Sequence, residues 1–478
     1  MLRKLLSIPT ALLAATAVLV SVSARASDDS PPNIIYILVD DLGKEWVSCY
    51  GGDLVKTPNI DRLAESGAIF TNVYSMPQCT PSRAAFLTGQ YPWRNGWINH
   101  WDVPRWGAGC HFDPGAYTSF AKVLKSAGYQ TCIAGKWQIN DFRVQPRVLV
   151  EHGFDEYCMW TGYETGVPAS AERYWDPYIH TKSGSKTYPG QFGDDIFTDF
   201  IISFLREHKD SPMMVYYPMC LTHGPLTTTP AEPDASGKIG QHQAMVRYTD
   251  HLVGKIVAEL ESLGIRDNTL LIWTTDNGTS GGIKGKRLGK EVKGGKGKTL
   301  ETGVNAPFVA SWPGRIKPGT TTDALVDFTD FYPTFLDLAG AGAPTGHAVD
   351  GKSFAALLRG ESGDSSREWI LAMGGHSGTI DPGSGRVANV FSFRDRVIRD
   401  KRYKLLVGTD RKPAKLFDLQ QDPTEKSNIL KSGIPGADAA QKRLWKVIES
   451  LPKRDANPQY DPLPAQPWDR KPKTPKRF

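Results

Sequence analysis

Asn33-Ile34-Ile35-Tyr36-Ile37-Leu38-Val39-Asp40-Asp41 runs through six consecutive apolar residues and stops on two adjacent acids. A short, unbroken apolar run of this kind is the pattern of a strand buried on both faces. From residue 33 to about residue 340, further short apolar runs alternate with stretches of helical period. That alternation predicts an α/β fold with a mostly parallel central sheet and helices on both faces. Central strands are expected at 33–39, 129–134, 213–217 and 270–274, and helices at 58–66, 81–87, 118–127, 197–208 and 242–263.

The segment 343–351 is rich in Gly, Ala and Pro and marks a boundary between a larger domain at 27–345 and a smaller one at 346–461. The latter holds strand-like pieces at 368–373, 387–394, 396–398, 404–407 and 415–418, then one helix at 439–450, which predicts a small antiparallel sheet with a helix. A basic, Pro-rich tail at 462–478 closes the chain. At the other end, Arg3 and Lys4 precede an apolar stretch at 11–22 and the small-x-small triplet Ala24-Arg25-Ala26. This is the layout of a signal peptide at 1–26 cleaved before Ser27, so the protein is expected to be exported to the periplasm or medium. The apolar run is short of the roughly 20 residues that span a bilayer, so stable membrane insertion is not expected.

The composition is that of a globular protein, with 40 % hydrophobic and 23 % charged residues in 478. The formal net charge is +6, and the excess lies partly in a Lys-rich segment at 278–298 and in the tail rather than along a helix face, which argues against a nucleic-acid partner. Six cysteines, with no Cys-x-x-Cys pair, exclude a dense disulfide framework and a zinc or redox motif, and leave pairing among Cys49, Cys110, Cys132, Cys158 and Cys220 open.

In an open parallel sheet, ligands bind beyond the carboxyl ends of the strands. Those ends are polar here: Asp40-Asp41, Lys136 after Gly135, His223 shortly after Cys220, and Asp276-Asn277-Gly278. Each alone has a plainer explanation as a helix cap, a turn or a solvated side chain. Strand direction, however, gathers all four on one edge. Three carboxylates and an amide oxygen suit a hard cation, with calcium preferred to magnesium and zinc disfavoured. Arg83, Lys136, His223 and Lys296 add positive charge and donors, a pairing that fits a tetrahedral oxyanion ester. In 79–89, Cys-Thr-Pro-Ser-Arg-Ala-Ala-Phe-Leu-Thr-Gly, Pro81 suits a first helical turn and Gly89 a C-terminal stop. Cys79 is thereby set at a helix N-terminus, which favours anions; the alternative is an inert buried cysteine.

Cys79-x-Pro81-Ser82-Arg83 followed by Leu87-Thr88-Gly89 resembles the signature of the sulfatases of the alkaline-phosphatase superfamily. Asn33 to Asp41, Thr57-Pro-Asn-Ile-Asp-Arg-Leu-Ala64, Gly135-Lys136-Trp137, His223-Gly-Pro225, Thr275-Asp-Asn-Gly278, Gly295-Lys296 with Glu301, Pro307 through Trp312-Pro-Gly314, Leu416-Phe-Asp-Leu419 and Asp422-Pro-Thr-Glu425 follow in the family's order. The resemblance implies that a maturation enzyme converts Cys79 to formylglycine. It makes Asp40, Asp41, Asp276, Asn277 and residue 79 ligands of one Ca2+ ion. Arg83 would hold the aldehyde hydrate, Lys136 and Lys296 the sulfate oxygens, and His223 the leaving oxygen. The substrate implied is a sulfate ester of a carbohydrate.

Two positions depart from the family. Gln138 stands where Lys-Trp is usually followed by His, and glutamine can orient a hydroxyl but cannot take its proton near neutral pH. Asn305 stands where Arg often follows Gly-Val, which puts one substrate or supporting contact in doubt. Lys284, Lys286, Arg287, Lys290, Lys293, Lys296 and Lys298 read either as part of a solvated mobile loop or as an electropositive lid for polyanionic glycans. Trp93, Trp97, Trp101, Trp106 and Trp160 are read as sugar-stacking or core residues. The competing functions are a phosphodiesterase or phosphonate hydrolase on the same scaffold, and a sulfated-glycan-binding protein that has lost turnover.

Overall fold

In the computed structural model, strand β1, Asn33–Val39, is buried along its whole length, as its unbroken apolar run predicts. The structure describes residues 31–98, 109–375 and 378–469. The expected leader, the last nine residues of the tail, Trp101 and Trp106 lie outside them. Following β1 come β2 Ala68–Tyr74, β3 Gln130–Lys136, β4 Glu156–Trp160, β5 Tyr178–Thr181, β6 Gly184–Thr187, β7 Met213–Pro218 and β8 Thr269–Thr275. A separate hairpin, β9 Lys284–Arg287 and β10 Lys290–Lys293, precedes β11 Phe308–Ser311 and β12 Thr320–Asp327.

The ten strands other than the hairpin form one sheet in the order β12-β2-β11-β8-β1-β7-β3-β4-β5-β6. Its centre is parallel, β8-β1-β7-β3-β4, with Val39 opposite Thr275 and Leu38 opposite Pro218. Antiparallel pairings enter at β11, which lies between β2 and β8, and at β5 and β6 on one edge. Strands β2, β4, β5, β6, β11 and β12 are not among the expected strands; β5, β6 and β11, at four residues each, are too short to show a period.

The flanking helices are α1 Pro58–Glu65, α2 Cys79–Thr88, α3 Phe120–Ser126, α4 Gly193–His208, α5 Gly237–Ser262 and α6 Phe331–Leu338. Because strand side chains alternate, β1 feeds two separate cores. Ile34, Tyr36 and Leu38 pack in one with Phe86 of α2, Phe120 of α3 and Phe335 of α6. Ile35, Ile37 and Val39 pack in the other with Ile60 of α1, Ile201 of α4 and Leu252 of α5. Trp93 and Trp97 in the first and Trp160 in the second are buried, so these three are packing residues rather than stacking platforms.

Beyond the central sheet come β13 Ile370–Met373, a two-stranded hairpin of β14 Gly378–Ile380 and β15 Val387–Asn389, then β16 Arg396–Arg399, β17 Tyr403–Val407 and β18 Pro413–Asp418. Strands β13, β16, β17 and β18 form the expected small antiparallel sheet, followed by helix α7, Ala437–Ser450. The strand expected at 387–394 stops at Asn389, and further on Arg394 gives its backbone N–H to the Asp455 carboxylate, 2.7 Å away, rather than to a strand partner. Leu371, Leu405 and Leu444 share a continuous core with Phe86 and Tyr36.

Candidate active site

The carboxyl ends of β1, β8, β3 and β7 bring the residues read from the sequence to one place. Asp40 and Asp41 follow β1 directly, Asp276 and Asn277 follow β8, and Lys136 ends β3. Asp41 sits in the left-handed region at φ 63°, a conformation Asp tolerates better than most residues. This tight turn is pinned by Asp40 N–H donating to Leu221 O at 2.8 Å and Thr222 N–H donating to Asp40 O at 2.7 Å. Gly135 at φ 122° lets β3 pass the last residue of β7, where a Cβ would lie 2.0 Å from Pro218 O.

Helix α2 starts at Cys79, with extended Gln78 as its N-cap and Gly89 in the left-handed conformation as its C-cap. Ser82 in the first turn ties the helix to β8, donating to Asp276 O at 2.6 Å. The Cys79 sulfur lies within 4.8 Å of carboxylate oxygens of both Asp40 and Asp276, and oxygens of Asp40 and Asp41 lie within the same distance of a His223 ring nitrogen.

Around this acidic centre stands a ring of cations. Arg83 donates from Nε and Nη2 to Asp276 Oδ2 at 3.2 and 2.8 Å and from Nη1 to Lys136 O at 3.0 Å. Lys136 Nζ lies 2.5 Å from Asp40 Oδ2, and Lys296 Nζ lies 2.6 Å from Asp41 Oδ2. Asn277 donates to Asp41 Oδ1 at 2.8 Å. Burial alone would raise the Asp40 carboxyl, but Lys136, His223, Arg83 and Lys296 hold it well below its ordinary range. Asp276 goes the other way: burial and the Asp40 charge push it up against the pull of Arg83. The two carboxylates thus titrate as a coupled set in which the cations favour one charge over the other. Burial and Lys136 push His223 down, opposed by Asp40 and Asp41.

The residues fit a hard cation. Asp40 Oδ1 and Asn277 Oδ1 are buried without a hydrogen-bond partner, a costly state for oxygens unless a ligand takes them. With Asp41 and Asp276 they make an all-oxygen donor set, in which a divalent ion would offset three buried negative charges.

Other expected positions resolve as follows. Gln138 is in the left-handed region at φ 62°, and its Oε1 is buried without a partner. Asn305 serves a buried network: it accepts from Lys44 Nζ at 2.7 Å and donates to Glu301 Oε2 at 2.8 Å. Glu301 in turn receives Arg399 and Lys404 of the C-terminal sheet at 2.9 and 3.0 Å. Asn305 is thus a buried hydrogen-bonding partner of Lys44, whose amine burial pushes down to about 7. The Lys-rich segment is an anchored hairpin, not a mobile loop. Arg287 Nε donates to Tyr50 O at 2.8 Å, and the backbones of Lys286 and Leu288 bond those of Asp53 and Gly51.

Arg173 was not foreseen. It comes from the turn between β4 and β5, is buried, stacks on the Trp160 ring at 3.8 Å and places Nη1 3.2 Å from His223 Nδ1. No periodicity or motif marks it; its signal is the Trp160 and Tyr163 pair that cradles the guanidinium.

The large mixed sheet, the helix-borne cysteine and the acidic pocket at the strand ends define an alkaline-phosphatase-like α/β protein. The chain belongs to the sulfatase family, whose profile matches residues 32–341, while one described as "N-sulphoglucosamine sulphohydrolase, C-terminal" matches residues 296–454. It is 32 % identical over 358 residues to N-acetylgalactosamine-6-sulfatase of Rattus norvegicus, a match covering 68 % of this chain and 65 % of the rat protein. N-acetylgalactosamine-6-O-sulfatase of Bacteroides thetaiotaomicron is 28 % identical over 90 % of this chain and 95 % of its own length. Among solved structures, Ps i-CgsB in complex with k-i-k-neocarrahexaose superposes with a TM-score of 0.73 at 26 % identity, covering 90 % of this chain and 95 % of that one.

Proposed function

We propose that this protein is a calcium-dependent sulfatase that hydrolyses sulfate esters of carbohydrates through a formylglycine at position 79. The observation that carries this reading is the placement of Cys79 at the N-terminus of α2, within 4.8 Å of Asp40 and Asp276 oxygens and in a pocket ringed by Arg83, Lys136, Lys296 and His223. Family membership and the sulfated sugars named for relatives support the substrate class.

Asp40, Asp41, Asp276 and the Asn277 amide oxygen would hold the ion. A calcium ion there would acidify a neighbouring hydroxyl and draw charge from ester oxygens. Formylglycine hydrate offers two hydroxyls on one carbon, one to attack sulfur and one whose collapse to the aldehyde expels sulfate. Arg83 fixes the Asp276 carboxylate and Ser82 ties the first turn of α2 to Asp276 O, so residue 79 meets the ester in one orientation. Lys136 and Lys296 stand at Asp40 and Asp41, where an incoming sulfate brings negative charge within their reach; in a water-poor pocket such fixed charges count most. His223 presents its ring edge to the same space and donates to the leaving oxygen. Gln138 can orient a hydroxyl but takes no proton, so a water or another group must remove it.

The N-terminal sequence supports export with cleavage before Ser27, and a maturation enzyme is the partner that the cysteine requires. Among the described residues no helix is long and apolar enough to cross a membrane. The test is sulfate release from a panel of sulfated sugars by protein co-expressed with a maturation enzyme, beside phosphate diesters and phosphonate esters. Sulfate release that chelation abolishes and calcium restores is expected. Faster phosphodiester turnover, or tight binding of sulfated sugars without release by the formylglycine form, would overturn it.

A further inference from the structure

The hairpin of β9 and β10 carries the chain's most concentrated charge. Between Lys284 and Lys298 there are seven cations and one acid, an excess equal to the formal +6 of the whole chain. The register is electrostatically unfavourable: Lys284 lies directly opposite Lys293, and Arg287 opposite Lys290. Like charges facing each other across a strand pair destabilise it. Glu291, opposite Lys286, offers partial relief through an exposed ion pair with Lys284 at 2.8 Å. Lys286, Lys290, Lys293 and Lys298 are exposed and make no ion pair among the described residues.

The ribbon is nonetheless held rigidly. Gly285 presses on Trp46 and Glu45, where a Cβ would lie 2.5 Å from Glu45 Cγ. Gly52 bridges Arg287, and Gly289 N–H donates to Asp53 Oδ2 at 2.8 Å. From Lys293 the chain passes through Gly294 and Gly295 to Lys296, whose ammonium sits on Asp41 in the active site. Lys284, Lys286 and Lys293 thus share one face of the ribbon, Arg287 and Lys290 the other, and the chain carries this charge on to Lys296 at the pocket.

We infer that this hairpin binds further anionic groups of a polysulfated glycan, holding the polymer on Lys286, Lys290 and Lys293 while one sulfate ester enters the pocket. The inference rests on the sulfate-ester reading of the site. It specifies the substrate as multiply charged, because a monosulfated sugar places no second anion at the ribbon. Fixed charges beside a low-dielectric cleft attract such a polymer at long range and lose that attraction in salt.

The experiment measures the affinity of full-length Cys79→Ala protein for dextran sulfate, with neutral dextran and a single-stranded DNA oligonucleotide as comparators. The substitutions Lys286→Gln, Lys290→Gln and Lys293→Gln are then combined in that background, and the three Lys→Arg changes are combined in another. The triple Gln protein is expected to bind dextran sulfate about tenfold more weakly, with a shallower salt dependence, and the triple Arg protein to match the parent within about twofold. Unaltered affinity in the triple Gln protein, or DNA binding as tight as dextran sulfate binding, would overturn the inference. Dextran sulfate held through these lysines by a protein whose formylglycine form releases no sulfate from any ester would sustain the hairpin's role and remove the sulfatase reading instead.

Discussion

Replacing Arg83 with Met tests how the acidic centre is held together. The guanidinium is buried and makes three hydrogen bonds, two to Asp276 Oδ2 and one to Lys136 O. Removing one partner of a buried ion pair leaves the other desolvated and uncompensated, which costs about 3–5 kcal/mol. The structure indicates how that cost varies with pH. Asp276 is already raised by burial and Asp40, with Arg83 as the opposing influence. Without Arg83 it rises further, so between the parent's folded value and the variant's the folded variant holds a proton that both the folded parent and the unfolded chain, titrating near the ordinary 3.8, have released. A group with a raised folded pKa makes stability fall as pH rises. In chelator, Arg83→Met should therefore lose about 3–5 kcal/mol relative to the parent at pH 8 and less at pH 5.5. Calcium should narrow the gap, since it binds the folded form and offsets the same carboxylates. Urea unfolding followed by tryptophan fluorescence at both pH values, with and without calcium, reads this out. A deficit below about 1 kcal/mol at pH 8 in chelator, or one that grows as pH falls, would refute the electrostatic reasoning.

Three further outcomes are expected. Gln138→His, in formylglycine-containing protein, supplies a base where an amide now stands and should raise kcat for sulfate release; unchanged or lower turnover contradicts that role. The Glu301 carboxyl, though buried, is held far below its ordinary range by Lys404 and Arg399, aided by Tyr74 and Asn305, so its contribution is intact above about pH 4.5 and is lost as pH falls below that. Glu301→Gln should lower the urea midpoint at pH 7 and flatten the decline in stability below pH 4.5. Asn277→Ala removes one buried amide oxygen from the cation set and should weaken calcium binding by about tenfold or more in titration calorimetry, and losing its hydrogen bond to Asp41 Oδ1 should also lower stability in chelator by about 1–3 kcal/mol.

Much of the site was legible because a parallel sheet turns chain order into spatial order. Asp40-Asp41, Lys136, His223 and Asp276-Asn277 each follow an apolar run, and runs that lie parallel end at one edge. The unbroken run at 33–39 has the limits of β1, because both faces are apolar and no periodicity has to be judged. Helix α5 begins five residues earlier than expected, at Gly237, since glycines at 237 and 240 carry no helical signal while the helix continues through them. Strand β11 and the β9–β10 hairpin were hidden for different reasons: the first is four residues long, and the second has no apolar alternation and is held by backbone pairing and contact with Trp46. Arg173 was invisible because its role depends on a turn between β4 and β5 that lies beside His223 only in three dimensions. The hidden pieces are thus those fixed by contacts distant in sequence.

The decisive measurement is the initial rate of sulfate release plotted against the fraction of residue 79 converted to formylglycine, across preparations made with graded levels of maturation enzyme. Peptide mass spectrometry gives the fraction, and ion chromatography gives sulfate released from a sulfated sugar in the presence of calcium. A straight line through the origin is expected, with Cys79→Ala at zero. A rate independent of that fraction, or no release at full conversion, would contradict sulfatase chemistry at position 79.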